Sequence, residues 1–409
     1  MPSVNKKKIF NDPIYGFITL PYEIIFDLIE HPYFQRLRRI KQLGLTHLVY
    51  PGALHTRFHH AMGTMNLMTK AIDVIRSKGH EITDEEALGV TIAILLHDIG
   101  HGPFSHALEH SIVNGISHEE ISTLFMDKLN QEFKGKLDIA LKIFRNEYPK
   151  KFLHQLVSGQ LDMDRLDYLR RDSFFTGVSE GVISTERIIT MLTVHNDHLA
   201  IEEKGIYSIE KFIIARRLMY WQVYLHKTVL SAENLLVNIL KRAKSLANNN
   251  EELFCTPSLR TFLYAQHDLL SFKNNPKLLD EFANLDDYDI MTSVKVWQNH
   301  SDKILSKLCK MMVNRNLYKV VINDTRLAKD ELAAIKEKFS RQLKISEKEI
   351  EYFVFQDAIE NNAYNPKMDK INILLKNNTV KDISEAADTL NISSLARPVK
   401  KWFVCYPKK

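Results

Sequence analysis

The stretch His97-Asp98-Ile99-Gly100-His101-Gly102-Pro103-Phe104-Ser105-His106 places three imidazoles and a carboxylate within ten residues of a chain that has 17 histidines in 409. Imidazole and carboxylate bind borderline and hard divalent metals. Other segments supply partners for them: His60 in Arg57-Phe58-His59-His60, and Asp164 in Asp162-Met163-Asp164-Arg165-Leu166-Asp167-Tyr168. Two imidazoles, His60 and His97, with two carboxylates, Asp98 and Asp164, form a compact donor set for one divalent ion. Iron, manganese, zinc and magnesium all suit it, with water in the open positions. His118 follows shortly after, as the first residue past Ser117. The plainer alternative is that His59 and His226 are packing or surface side chains, and that Asp162 and Asp167 are exposed helical acids.

Spacing adds a second signal. Asp164, Tyr168 and Asp172 stand at i, i+4 and i+8, one face of a helix. Arg216, Tyr220 and Tyr224 repeat that spacing. An aromatic stripe at helical spacing is usually core, but an acid or an arginine on the same stripe points to a face that meets a polar ligand.

The elements that position these residues are mostly helical. Residues 8–20 read as a short hairpin around Asn-Asp-Pro and Tyr-Gly. From 21 to about 245 apolar residues recur at three- and four-residue spacing. Thr83-x-x-Glu86 and Ser117-x-x-Glu120 are capping boxes that start two of the helices, and Gly100 stops the first just after His97-Asp98. Residues 248–252 read as a loop, and helical patterning resumes over 258–312. Residues 318–322, 352–355 and 371–375 are β-rich, with a helix over 326–343. The expected fold is mainly α: a helical catalytic domain with its N-terminal hairpin over 1–310, and a small α+β lobe over 311–409 that serves oligomer or regulatory contacts.

The net charge of +5 is small for 409 residues and does not by itself indicate nucleic acid. Cys255, Cys309 and Cys405 form no CxxC pair, which suits a reducing cytoplasm. The sequence has neither the apolar region of a signal peptide nor a run long enough to span a bilayer, so a cytoplasmic protein without membrane contact is expected.

With these residues in hand, the chain resembles the HD-domain phosphohydrolases. Within them it is most similar to the deoxynucleoside triphosphate triphosphohydrolase (dNTPase, dGTPase) branch, which includes bacterial enzymes and the animal sterile-alpha-motif/HD-domain dNTPases. Seven motifs in the family's order carry the resemblance: FNDPIYG (10–16), FQRLRRIKQLG (34–44), YPGALHTRFHHAMG (50–63), HDIGHGPFSH (97–106), SHEE (117–120), DMDRLDYLRRD (162–172) and YLHK (224–227). The match runs from about 8 to 230, with a weaker echo at 315–319.

The resemblance implies a helical HD core and hydrolysis of a dNTP to a deoxynucleoside and inorganic triphosphate. It implies the metal set His60, His97, Asp98 and Asp164, and further Mg²⁺ bound with the triphosphate. His101, His106 and His118 are implied around the α-phosphate, with Glu119 supporting His118. An imidazole can protonate the leaving 5′-oxygen; His106 is favoured, with His118 and His101 left open. Arg57, Arg165, Arg216 and Lys227 are implied to meet the triphosphate, and Gln42 and Leu43 to read the sugar. Gln hydrogen-bonds a 3′-hydroxyl, and Leu leaves a 2′-hydroxyl no room and no partner. Tyr168 and Tyr224 pack on the sugar, with Asp172 near the 3′-hydroxyl and Tyr220 close by. Arg165, Tyr220 and Glu109 depart from the lysine, histidine and aspartate found in the animal enzymes, and base preference stays open, with guanine one choice.

The resemblance also implies a homotetramer activated by a bound nucleotide, through Lys8, Asn11, Glu30, Gln35, Arg38, Arg315 and Lys319; ordinary surface charges are the alternative. Two further readings are another HD phosphohydrolase, acting on a different nucleotide or phosphoester, and a nucleotide- or single-stranded nucleic-acid-binding protein without turnover.

Overall fold

A computed structural model describes residues 8–104, 115–366, 369–388 and 397–408. The fold is mainly helical. It opens on an antiparallel hairpin, β1 (Ile9–Asp12) and β2 (Gly16–Thr19), followed by α1 (Glu23–Glu30). The core helices are α2 (Arg57–Ser77), α3 (Asp84–Leu96), α4 (His118–Glu132) and α5 (Met163–Thr176). Then come α6 (Ile206–Met219), a wide turn over Tyr220–Tyr224 and α7 (Lys227–Asn248).

Each core helix starts for a local reason. Thr83 accepts from the Glu86 amide at 3.2 Å, while the Glu86 carboxylate accepts from the Thr83 amide at 2.9 Å. Ser117 and Glu120 make the same pair of bonds at 3.2 and 2.9 Å. Caps of this kind contribute about 1 kcal/mol each. Beyond its acidic first turn, helix α3 is apolar all round, and Val90, Ile92, Ile94, Leu95 and Leu96 are fully buried. A helix of that pattern belongs at the centre of a bundle, and it delivers His97 and Asp98 there.

Over 21–245 the structure departs from the all-helical expectation. Strands β3 (Leu192–His195) and β4 (His198–Glu202) form a hairpin. Its turn residues, Asn196 and Asp197, have φ of 48° and 64°, the conformation two-residue hairpin turns require; Asn-Asp was the overlooked signal.

The later chain adds α8 (Asp287–Trp297), α9 (Lys303–Val313), β5 (Lys319–Asn323), α10 (Lys329–Leu343), β6 (Phe355–Asn361), β7 (Asn372–Leu374), β8 (Val380–Asp382) and β9 (Val399–Tyr406). The expected strand over 352–355 begins only at Phe355, because Glu349–Tyr352 forms a 3₁₀ turn. Strand β9 lies between β5 and β6. Strand β7 pairs in parallel with β4, so the C-terminal segment shares a sheet with the helical part.

Candidate active site and metal centre

Four elements converge at the end of α3. Gly100 permits the closest approach: a Cβ there would lie 2.2 Å from the His118 carbonyl oxygen and 2.3 Å from the Ser122 amide. The Ser122 hydroxyl accepts from the Gly100 amide at 2.9 Å and donates to the His97 carbonyl at 2.8 Å. The turn after α3 is thereby locked onto the first turns of α4. Helix α2 brings His60, its N-terminus closed by Thr56 and His59. Helix α5 brings Asp164, its N-terminus capped by Asp162, which accepts from the Arg165 amide at 2.7 Å.

The donor atoms meet. His60 Nε2 lies 3.1 Å from Asp164 Oδ1 and 3.7 Å from Asp98 Oδ2. His97 Nε2 lies 3.4 Å from Asp98 Oδ1 and 3.7 Å from Asp164 Oδ1. Ligands about 2.1 Å from a shared ion stand roughly 3.0–4.2 Å from one another, from neighbouring to opposite positions, so these separations suit one. The tautomers also suit it. His60 Nδ1 is 2.7 Å from Asp167 Oδ2, and His97 Nδ1 is 2.6 Å from the Ile94 carbonyl. With Nδ1–H donating, each Nε2 presents a lone pair, and both Nε2 atoms are buried without a hydrogen bond of normal geometry. Lone pairs that face carboxylate oxygens need a cation between them. Burial opposes charge on His60, yet Asp164 and Asp167 raise its pKa to about 10. Burial likewise opposes charge on Asp164, and His60 and His97 hold its pKa well below the usual range. The donor set therefore fits a divalent ion, and its two carboxylates and two imidazoles do not single out one metal.

Asp98 is shared further. It pairs with Arg57, and its Oδ1 is 3.3 Å from His101 Nε2. The His101 and His118 rings stack with centroids 3.9 Å apart, and His118 Nε2 lies 3.3 Å from Glu119 Oε1. Burial and the neighbouring Arg57 hold His101 well below the usual imidazole pKa, so it is neutral at pH 7. His106 and Glu109 lie outside the described residues.

Above this floor opens a cavity of about 510 Å³. Gln42, Leu43, Arg57, Arg165, Tyr168, Asp172, Arg216, Tyr220 and Tyr224 all line it, so both predicted helical stripes face one space. Arg165 Nε, Arg216 Nε and Gln42 Oε1 are buried there without a partner. Asp172 is already engaged, with its Oδ1 2.8 Å from His55 Nε2 and its Oδ2 accepting from the Tyr224 hydroxyl at 2.7 Å.

The residues expected to be regulatory fall in two places. Lys8 and Asn11 sit on the N-terminal hairpin, Glu30 ends α1, and Arg38 donates to Gln35 at 2.9 Å. Arg315 donates to the Leu48 carbonyl at 2.9 Å, and Lys319 lies over the Tyr406 ring.

Some residues of the site escaped the sequence reading. Asp162 and Asp167 are fully buried, not exposed helical acids. Asp287, from α8, accepts from the Lys41 amide at 3.0 Å and from the Phe104 amide at 2.8 Å. It ties the Gln42–Leu43 loop to the turn after His101, and nothing local in the sequence marks it. Glu233 of α7 also lines the cavity, as a single acid on an ordinary amphipathic helix. His59 and His226 accept backbone amides at helix starts, a role the sequence reading did not assign them.

Among the described residues no helix is long and apolar enough to cross a membrane, and all three cysteines are unpaired.

Comparison with known proteins agrees with this geometry. The HD domain model matches residues 57–172, and a model described as an HD associated region matches 183–255. A crystal structure of a phosphohydrolase from Bacteroides thetaiotaomicron is 55% identical, with a TM-score of 0.94 over 98% of this chain and all of that one. The uncharacterized protein YwfO of Bacillus subtilis is 35% identical over 78% of this chain and 72% of its own length. The Dictyostelium discoideum homolog of the deoxynucleoside triphosphate triphosphohydrolase SAMHD1 is 30% identical over 78% of this chain and 61% of its own length. From the motifs, the metal-fitting donor set and these relatives together, the chain belongs to the HD-domain phosphohydrolases.

Proposed function

We propose that the protein is a metal-dependent dNTP triphosphohydrolase that releases the deoxynucleoside and intact triphosphate. The observation that carries this is the pair of unpartnered buried nitrogens, His60 Nε2 and His97 Nε2. They face Asp98 and Asp164 beneath a cavity whose wall holds the spare guanidinium donors of Arg165 and Arg216. His60, His97, Asp98 and Asp164 would hold the ion, which supplies an activated water and polarises a phosphoryl oxygen.

The chain's own groups do the rest. Arg57, Arg165 and Arg216 bind the triphosphate, which carries further Mg²⁺. His101, its Nε2 against Asp98, lies beside the α-phosphate. His118, held by Glu119, is a candidate to protonate the leaving 5′-oxygen, as is His106. The unpaired Gln42 Oε1 accepts from the 3′-hydroxyl, and Leu43 excludes a 2′-hydroxyl. Tyr168, Tyr220 and Tyr224 wall the sugar.

Glu233 favours guanine. It faces the cavity without a hydrogen bond or ion pair among the described residues, and burial raises its carboxyl to about 7. A carboxylate accepts both the N1–H and the N2–H of guanine, whereas adenine opposes it with a ring acceptor.

An oligomer with a nucleotide effector at the Lys8–Arg38 cluster and at Arg315–Lys319, working in the cytoplasm, completes the reading. Its test is to incubate the purified protein with Mn²⁺ or Mg²⁺ and each dNTP, singly and in pairs, and to identify the products by ³¹P NMR. Triphosphate without dNMP supports the reading. Orthophosphate or pyrophosphate points to a different phosphohydrolase.

A further inference from the structure

We infer that Asp12, at the turn of the N-terminal hairpin, is a positioning residue for the metal centre, so that affinity for the ion depends on how that hairpin is seated. The inference rests on His60 being a metal ligand.

A continuous chain of buried groups joins the two. Asp12 Oδ1 accepts from the amides of Ile14 and Tyr15 at 2.9 and 3.0 Å, which closes the turn. Its other oxygen accepts from Arg171 Nη1 at 2.8 Å. Arg171 then grips Asp167, with Nε on Oδ2 at 2.9 Å and Nη2 on Oδ1 at 3.0 Å. Asp167 Oδ2 is the same atom that holds His60 Nδ1 at 2.7 Å. Asp12, Arg171, Asp167 and His60 are all buried.

Helix α2 is cut to receive this pair. A Cβ on Gly63 would lie 2.0 Å from Asp167 Oδ1 and 2.3 Å from Arg171 Nη2. Only glycine at this position lets Asp167 and Arg171 pack so close to α2. The charges explain why the far end matters. Arg171 is shared between two acids, and Asp167 Oδ2 between two donors. Without the charge of Asp12, a buried guanidinium keeps a single counter-ion, a costly state, and draws Asp167 away from His60. Groups that orient a ligand imidazole set metal affinity.

Apart from Asp12, the hairpin is held by Ile18, which is buried in the core, and by Phe10 against Phe58. Its strands are four residues each, too short to stand alone. Ile9, Asn11 and Phe17 are exposed, while Asp12 and Ile18 point inward. Coupling runs both ways by linkage: an ion that orders His60 also seats the hairpin. Lys8 and Asn11 lie on that hairpin, so a ligand bound there would act on the metal centre by this route.

The test is titration of the metal-free protein with Mn²⁺ alone. Asp12→Asn keeps an Oδ1 acceptor for the turn but removes the charge opposite Arg171. Its Kd for Mn²⁺ should rise about tenfold, and that of Asp167→Asn by roughly 10–100-fold. In wild type, Mn²⁺ should slow hydrogen exchange across residues 9–19 and leave the strand at 319–323 unmoved. The exchange experiment decides the matter even if Asp12→Asn does not fold. An unchanged Kd in folded Asp12→Asn, or hairpin exchange indifferent to Mn²⁺, overturns the inference while the metal reading stands. If wild type binds no better than His60→Ala, the metal reading itself has failed and this inference falls with it.

Discussion

His101 and His118 stack face to face, with 3.9 Å between ring centroids and 18° between planes. They come from the turn after α3 and the first turn of α4, and the stack exists because Gly100 lets the two elements touch. One ring is held neutral by burial and Arg57, and the other is braced by Glu119. We predict that His118→Ala lowers kcat on the order of 10²-fold or more, the usual worth of a positioned proton donor. Metal content should stay at the wild-type level by elemental analysis. The His101→Ala/His118→Ala double variant should lose less than the product of the single losses, because groups that act as a unit are non-additive.

The approach at Gly100 gives a stability prediction. A methyl group at Gly100 must displace α4 backbone at 2.2 Å. Gly100→Ala should therefore destabilise the fold by about 1–3 kcal/mol, the usual cost of overpacking, and read out as a lower Tm. Gly79→Ala is the control for space: nothing lies within 4 Å of its Cβ position. It should cost less despite its own positive φ of 83°.

Leu43 lines the cavity beside Gln42. Trimming it to glycine opens room for a 2′-hydroxyl. Leu43→Gly should reduce the ratio of kcat/KM for dGTP over GTP by about tenfold or more, while Gln42→Ala weakens both substrates. An unchanged ratio would place the ribose filter elsewhere.

On the proposed reading of Glu233, base choice should depend on pH. Burial raises its carboxyl to about 7, so it is an acceptor above that pH and a protonated acid below. KM for dGTP should rise as pH falls from 8 to 6, with little change for dATP. Glu233→Gln should remove the dependence and narrow the preference. The same shift has a stability consequence. An acid whose folded pKa lies above its unfolded value of about 4.5 destabilises the folded state progressively as pH rises from there through 7. Glu233→Gln should therefore raise Tm at pH 8 and leave it nearly unchanged at pH 4.

Much of the site was legible because its chemistry sits in dense local motifs. The His97-Asp98 pair, the i, i+4, i+8 stripe of Asp164, Tyr168 and Asp172, and both capping boxes are each confined to one short stretch. What stayed hidden is what depends on distant packing. Asp167 reads as one more helical acid until Gly63 and Arg171 are seen against it. Asp287 acts on two loops 183 and 246 residues upstream through backbone amides, which leave no mark on side-chain patterns. Glu233 gains its meaning from the cavity alone. The β3–β4 hairpin was missed for a different reason: its strands are short, and its one strong signal is the Asn196-Asp197 turn.

Calorimetric titration of the metal-free protein with Mn²⁺, on wild type and on five alanine variants, would settle whether the four donors act together. The account predicts tight binding in wild type and in His118→Ala. It predicts loss of that binding in His60→Ala, His97→Ala, Asp98→Ala and Asp164→Ala, each still folded. Wild-type affinity retained in any of the four ligand variants would contradict it.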